Sequence, residues 1–124
     1  MLITVPRVKM QKCSQINSGS KLIGKENIFI GKHVVVGYNC LLMTSTDSIA
    51  PRMDDGSPEN MRKIVSSPIR IDDYAYIGSN SIICPGVHIG NHAVIGAQSY
   101  VKKFSDIKPY TVSWGNPLKY IKTR

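Results

Sequence analysis

Three histidines, three cysteines and a crowd of C-terminal lysines are the side chains in this 124-residue chain best suited to chemistry. Histidine serves proton transfer or metal ligation near neutral pH. However, His33, His88 and His92 match no metal constellation, so no metal site is expected. Cys13, Cys40 and Cys84 are odd in number and lack metal-type spacing, which reads as reduced thiols in a cytosolic protein. Lys102, Lys103, Lys108, Lys119, Lys122 and Arg124 gather in the last quarter of a chain whose net charge is +8. With no basic run interleaved with aromatics, nucleic acid is not the expected partner. A polyanionic small molecule suits that cluster. No stretch approaches the ~18 apolar residues of a spanning helix, and the N-terminus lacks a signal-peptide apolar region. The expected location is therefore the cytoplasm, without membrane insertion.

The elements that must position these groups announce themselves by repetition. Steps of six from Ile71 meet Ile77, Ile83, Ile89, Ile95, Val101 and Ile107. At this chain's Ile and Val content, chance gives such a run roughly once in 10⁵, so the period is a structural signal. Four residues after each comes a small or medium side chain: Ala75, Ser81, Val87, Ala93, Ser99, Ser105. Ile30, Val36 and Leu42 repeat the pattern, with Val34 and Cys40 in the second column. Met10, Ile16 and Leu22 show a weaker version, out of phase by two. A period of six fits neither a helix nor an isolated strand. It describes short strands joined by turns, three hexads to a coil, with the aliphatic column along the axis of a triangular prism. Coils then stack at the ~4.8 Å spacing of strands. Gly78, Gly90 and Gly96 follow aliphatic positions and are expected at corners, where glycine takes positive φ cheaply. The fold class is thus an all-β solenoid, a single domain over residues 1–124.

The phase breaks between Leu42 and Ile71, so a loop over about 47–68 leaves one corner and returns, with Val65 already back in phase. Asp54, Asp55 and Glu59 on this loop are candidates to meet hydroxyl or amine groups of a ligand, or simply solvating charges. Such loops on rigid scaffolds often carry function. After Ile107 the repeat stops. A tail over about 108–124, with a possible helical turn at Leu118–Lys122, is expected to cap the open end against edge-to-edge association.

Five stretches carry a family resemblance: Ile77-Gly78-Ser79, Pro85-Gly86-Val87-His88-Ile89-Gly90, Ala93-Val94-Ile95-Gly96-Ala97, Val101-Lys102-Lys103 and Gly115-Asn116-Pro117. In order and spacing they resemble the hexapeptide-repeat acetyltransferases that modify sugars, such as galactoside, maltose and colanic-acid acetyltransferases. The resemblance implies a left-handed parallel β-helix, a homotrimer with sites in the clefts between subunits, and acetyl-CoA as co-substrate. It also implies a sugar or nucleotide-sugar acceptor and a place in surface-polysaccharide biosynthesis. By residue match, Ser79 and Ala97 line the pantetheine path, and Lys102 and Lys103 sit at the nucleotide end. Asn116, Lys119 and Arg124 are further cofactor candidates, with Lys122 a helper, and Asn17 falls near a family asparagine that binds acceptor sugar.

One position departs from the family. Where the family carries its catalytic histidine, just before the loop, this chain has Asp47. A neutral hydroxyl needs a general base to attack an acyl group. Asp47 fills that place if its surroundings favour a proton there; otherwise His33 is the candidate substitute. Alternatively the acceptor is an amine, whose free-base form needs positioning more than base catalysis. Loss of activity with retention of the fold stays open as a third reading. His33 and His92 take the fourth place of a hexad and read as turn residues, and His88 reads as an outward one. A zinc enzyme of the carbonic anhydrase type and a non-catalytic scaffold are the rival functions.

Overall fold

A computed structural model describes residues 1–47 and 64–124, so Asp54, Asp55 and Glu59 lie outside the described residues. Among the described residues there are eighteen short strands, and fifteen of them wind into five coils of a three-sided prism. The first face stacks β1 (Leu2–Ile3), β4 (Lys21–Ile23), β7 (Leu41–Met43), β12 (Ile82–Ile83) and β15 (Tyr100–Val101). The second stacks β2 (Val8–Met10), β5 (Ile28–Ile30), β10 (Ile69–Ile71), β13 (His88–Ile89) and β16 (Asp106–Ile107). The third stacks β3 (Gln15–Ile16), β6 (Val35–Val36), β11 (Tyr76–Ile77), β14 (Val94–Ile95) and β17 (Thr111–Trp114). All pairings within these three stacks are parallel. The winding is that of a left-handed parallel β-helix.

The axial columns are those of the hexad. Leu22, Leu42, Ile83 and Val101 fill the first face's inner column, Ile30, Ile71 and Ile89 the second, and Val36, Ile77 and Ile95 the third. Each is at most 2% exposed, and each such burial contributes about 2 kcal/mol against the entropy of ordering the chain. The second column also faces inward. Val34, Cys40, Ala75, Ser81, Val87, Ala93 and Ser99 are buried beside the corners. Buried hydroxyls need partners, and Ser20, Ser81 and Ser99 donate to the carbonyls of Gly37, Gly96 and Gly96 at 2.9, 3.1 and 2.7 Å.

Register explains the weak early repeat. Ladder partners put Ile3, Leu22 and Leu42 in one inner column and Met10 and Ile30 in the next. The corner from Leu22 to Ile30 therefore takes eight residues where six would do, and those two extra residues are the phase shift. The same corner carries the larger insertion one coil on. Its base is a two-stranded antiparallel ribbon, β8 (Ser45–Asp47) with β9 (Ile64–Ser66). Val65 pairs with Thr46 on this ribbon. It belongs to the loop and not to the prism, since its agreement with the hexad phase is coincidental. The widened corner below props the ribbon up: Thr44 Oγ1 accepts from the Glu26 amide at 3.1 Å and donates to its carbonyl at 3.0 Å, while Ser45 Oγ accepts from the Lys25 amide at 2.8 Å.

Gly78, Gly90 and Gly96 have a different cause from the one expected, while Gly19 and Gly86 do take positive φ at corners. The left-handed conformation is taken by Cys13, His33, Tyr74, His92 and Tyr110 on one edge, by Asn39, Asn80 and Gln98 on another, and by Phe104 on the third. Gly78, Gly90 and Gly96 do not adopt it. A Cβ on Gly78 would lie 2.4 Å from the Ala97 amide nitrogen, and one on Gly90 would lie 2.7 Å from the Pro109 nitrogen. These glycines let one coil's backbone approach the next.

The tail also differs from expectation. The solenoid runs one strand past Ile107, with β17 pairing parallel to β14 and Ser113 taking the aliphatic place opposite Ile95. Leu118–Lys122 is no helical turn. It opens β18 (Lys119–Thr123), which runs antiparallel to β17 and covers that edge of the third face. Leu118 packs against the core. Beside it the prism ends in a cavity of about 680 Å³ bordered by Tyr100, Ile107, Ser113 and Tyr120.

Candidate active site

The three edges of the prism sort the candidate residues. Between the third and first faces lies an edge of small residues. Ser79 and Ala97 occupy equivalent places there on successive coils, following Gly78 and Gly96. Ser79 Oγ accepts from the Tyr38 amide at 3.0 Å, and Ala97 is exposed with only a methyl group, so an extended chain could lie close to the backbone. Asn17 occurs on the same edge, two coils below Ser79, its amide donating to the Val36 carbonyl at 3.0 Å. Asn116 caps this edge, anchored through Gly115, whose amide donates to Ser99 Oγ at 3.0 Å.

Between the first and second faces is the edge from which the ribbon departs. Asp47 lies on the ribbon opposite Ile64 and is exposed. Lys102 and Lys103 are exposed on the same edge in the last coil. Cys84 and Cys40 are buried, and burial pushes both thiols up from their ordinary value. Hydrogen bonds oppose the shift, from Tyr100 at Cys84 and from the backbone around Ser81 at Cys40.

The third edge holds His33, and its surroundings are aromatic. His33, Tyr74, His92 and Tyr110 stack one per coil, with centroids 4.9, 4.8 and 4.5 Å apart and planes within 12° of parallel. Arg124 closes this edge, its guanidinium donating to the carbonyls of Tyr74 (3.2 Å) and His92 (2.9 Å). So His33 and Asp47 stand on different edges with the second face between them. Arg124 is committed to a third edge, away from Ser79, Ala97, Lys102 and Lys103. Lys119 is exposed on β18, opposite Trp114.

The outward row of the second face carries a charge network that sequence reasoning passed over. His88 Nε2 lies 2.7 Å from Asp72 Oδ2, and Nδ1 lies 3.2 Å from Asp106 Oδ1. Arg70 Nε reaches Asp72 at 3.0 Å, and Lys108 Nζ reaches Asp106 at 3.0 Å. Burial alone would raise Asp72, but hydrogen bonds and charge from His88 and Arg70 outweigh it and hold the carboxyl below its ordinary value. Lys108 and then His88 do the same for Asp106. Arg70, His88 and Asp106 are 18 apart in sequence, as are Tyr74, His92 and Tyr110. A search at three hexads, in place of one, would have found both rows. With its two ring nitrogens on opposite carboxylates and the other histidines in the stack, His88 shares no common centre with them.

Comparison with known proteins agrees with this geometry. The family model "bacterial transferase hexapeptide (six repeats)" matches residues 68–103. A galactoside O-acetyltransferase of Lactococcus lactis is 33% identical over 101 residues, covering 82% of this chain and 45% of the relative. A hexapeptide-repeat acetyltransferase from Vibrio cholerae superposes with a TM-score of 0.79 at 27% identity, over 94% of this chain and 62% of that one. An N-acyltransferase from Bacillus cereus, crystallised with dTDP-4-amino-4,6-dideoxyglucose and coenzyme A, shares the fold at a TM-score of 0.87 and 23% identity, over 98% and 66%. The chain spans about half the length of the curated relatives it matches. In repeat, in winding and in sequence, the chain is a hexapeptide-repeat protein, built on the left-handed β-helix found in these acetyltransferases.

Proposed function

We propose that this chain serves a coenzyme A-dependent acetyltransferase whose acceptor is a hydroxyl or amine of a sugar or nucleotide sugar. The observation that carries the reading is the likeness, in both sequence and fold, to acetyltransferases over most of this chain. The small-residue edge fits an extended pantetheine arm. Ser79 and Ala97 leave backbone accessible along it, Asn116 stands at its end, and Lys102 and Lys103 offer cations across the first face for the phosphates. Arg124 is spent on carbonyls and is the weakest member of the cofactor set.

In this mechanism Asp47 takes the proton that the acceptor loses as its oxygen or nitrogen bonds to the acetyl carbonyl carbon. Asp47 then returns the proton to the sulfur that departs with the electron pair of the broken carbon–sulfur bond. Asp47 is exposed in the single chain, so a neighbouring subunit or the acceptor itself would have to enclose it. That is the arrangement of a homotrimer with sites in its clefts. His33, stacked on Tyr74, stands on another edge from Asp47 and the small-residue edge, and an amine acceptor lessens the need for any base. Asn17 shares the small-residue edge and is the candidate sugar contact. We assign the protein to the cytoplasm and to surface-polysaccharide biosynthesis on the same footing. Among the described residues no helix is long and apolar enough to cross a membrane.

Calorimetric titration with acetyl-CoA, followed by thiol release against a panel of sugars and amino sugars, tests the reading. Wild type should bind and turn over. Asp47→Ala should still bind acetyl-CoA while kcat falls at least 100-fold on hydroxyl acceptors, and less on amines. A wild type with neither binding nor turnover would leave a non-catalytic scaffold as the function.

A further inference from the structure

The second face has a recess that the transferase reading leaves unused. Lys9, Phe29 and Arg70 stand side by side on adjacent coils, in ladder register and pointing outward. Together with Gln11, Asp72 and Asp73 they border a cavity of about 310 Å³, within the range of small-molecule sites. Phe29 is 37% exposed and lies in ladder register between the two cations. Among the described residues Arg70 gives only Nε to a protein partner, Asp72, leaving both terminal nitrogens for a ligand. Asp72 is held by Arg70 and His88, and Asp73 Oδ1 accepts from the Lys32 amide at 2.8 Å, so both carboxylates are fixed in place.

A partly exposed aromatic ring between cations at the ~4.8 Å strand spacing offers an apolar contact with charges on either side. That combination suits a planar base joined to phosphates: the ring stacks, and Lys9 and Arg70 meet the anionic oxygens. The carboxylates across the recess accept from hydroxyls or an ammonium group. We propose that this recess binds the nucleoside diphosphate portion of a nucleotide-linked sugar, with Phe29 as the stacking platform and Arg70 and Lys9 as the phosphate ligands. The assignment of that ligand as acceptor rests on the transferase reading. The recess itself does not.

Calorimetric titration of the full chain with thymidine diphosphate, inorganic pyrophosphate and coenzyme A distinguishes the two. Thymidine diphosphate should bind wild type. Phe29→Leu, which keeps an apolar side chain and removes the ring, should weaken it about tenfold or more while leaving pyrophosphate unchanged. Phe29→Tyr should retain it, and Arg70→Gln should weaken both thymidine diphosphate and pyrophosphate. Coenzyme A affinity should survive every one of these changes. Absence of thymidine diphosphate binding, or equal binding by wild type and Phe29→Leu, overturns the proposal. So does loss of that binding in Lys102→Gln alone, which would move the nucleotide to the cofactor's phosphate end. Failure of coenzyme A to bind wild type, with thymidine diphosphate still bound through Phe29, would sink the transferase reading and leave the recess standing.

Discussion

At the scale of single residues, burial decides reactivity. Cys13 is exposed at a corner, whereas Cys40 and Cys84 are each 1% exposed and their thiols are pushed up by desolvation. The thiolate is the reacting form, so both burial and the raised pKa slow the inner pair. Titration of the native protein with a thiol reagent near pH 8 should therefore show one fast equivalent and two that react only on unfolding. A Cys13→Ser variant should lose the fast equivalent. His33 illustrates what the sequence conceals at this scale. Its place in a turn was legible, because the fourth position of a hexad recurs. Its partner Tyr74 is 41 residues away and adjacent only because the insertion closes on itself. Arg124 is similar: its carbonyl acceptors are 50 and 32 residues distant, and nothing local marks a guanidinium for backbone capping.

At the scale of the element, the repeat was readable because every inner residue obeys one rule, and it failed where another rule took over. The last inner place of the third face is Ser113 and not an aliphatic residue, so the hexad seemed to end one strand early. β18 is exposed along its whole length and owes its existence to pairing with β17, which gives it no burial pattern to read. Gly78, Gly90 and Gly96 follow contact and not dihedral preference, whereas Gly19 also takes a positive φ, and this yields a graded expectation. Gly78→Ala would drive a methyl group into the backbone of the next coil, where nothing flexible can yield, at a cost of about 3 kcal/mol. Gly19→Ala would meet the mobile side chain of Asn39 and the strain of φ 81°, at about 1–2 kcal/mol. Urea unfolding of the two variants checks the order. Equal losses would mean that the close approach of backbone does not set the cost at Gly78.

At the scale of the whole molecule, the outward charges of the second face tie three coils together from Arg70 through Asp72, His88 and Asp106 to Lys108. Asp72 has its carboxyl lowered in the folded state, so its contribution is complete above the ordinary carboxylate value and is lost as pH falls through the lower folded value. The partners are partly solvated, which keeps the effect to about 1 kcal/mol. Asp72→Asn should therefore be less stable than wild type by that margin at pH 7 in urea melts, and the gap should shrink as pH falls below the ordinary carboxylate value. A gap independent of pH would mean the residue acts through packing alone.

Length variation is confined to one edge of this prism. Between inner positions, every step around the other two edges is six residues, while the edge that bears the ribbon takes seven, eight and then 29 in the first three coils. The first and second faces meet there, yet neither loses register, because the next hexad resumes the same inner columns. That edge therefore works as a mounting point, and the rest of the barrel-like shaft as its chassis. A peptide of foreign sequence and arbitrary length, spliced between Thr46 and Val65, should leave the stacked edge and the small-residue edge in place. The same property would let descendants of one ancestral shaft exchange the inserted segment without rebuilding the coils beneath it.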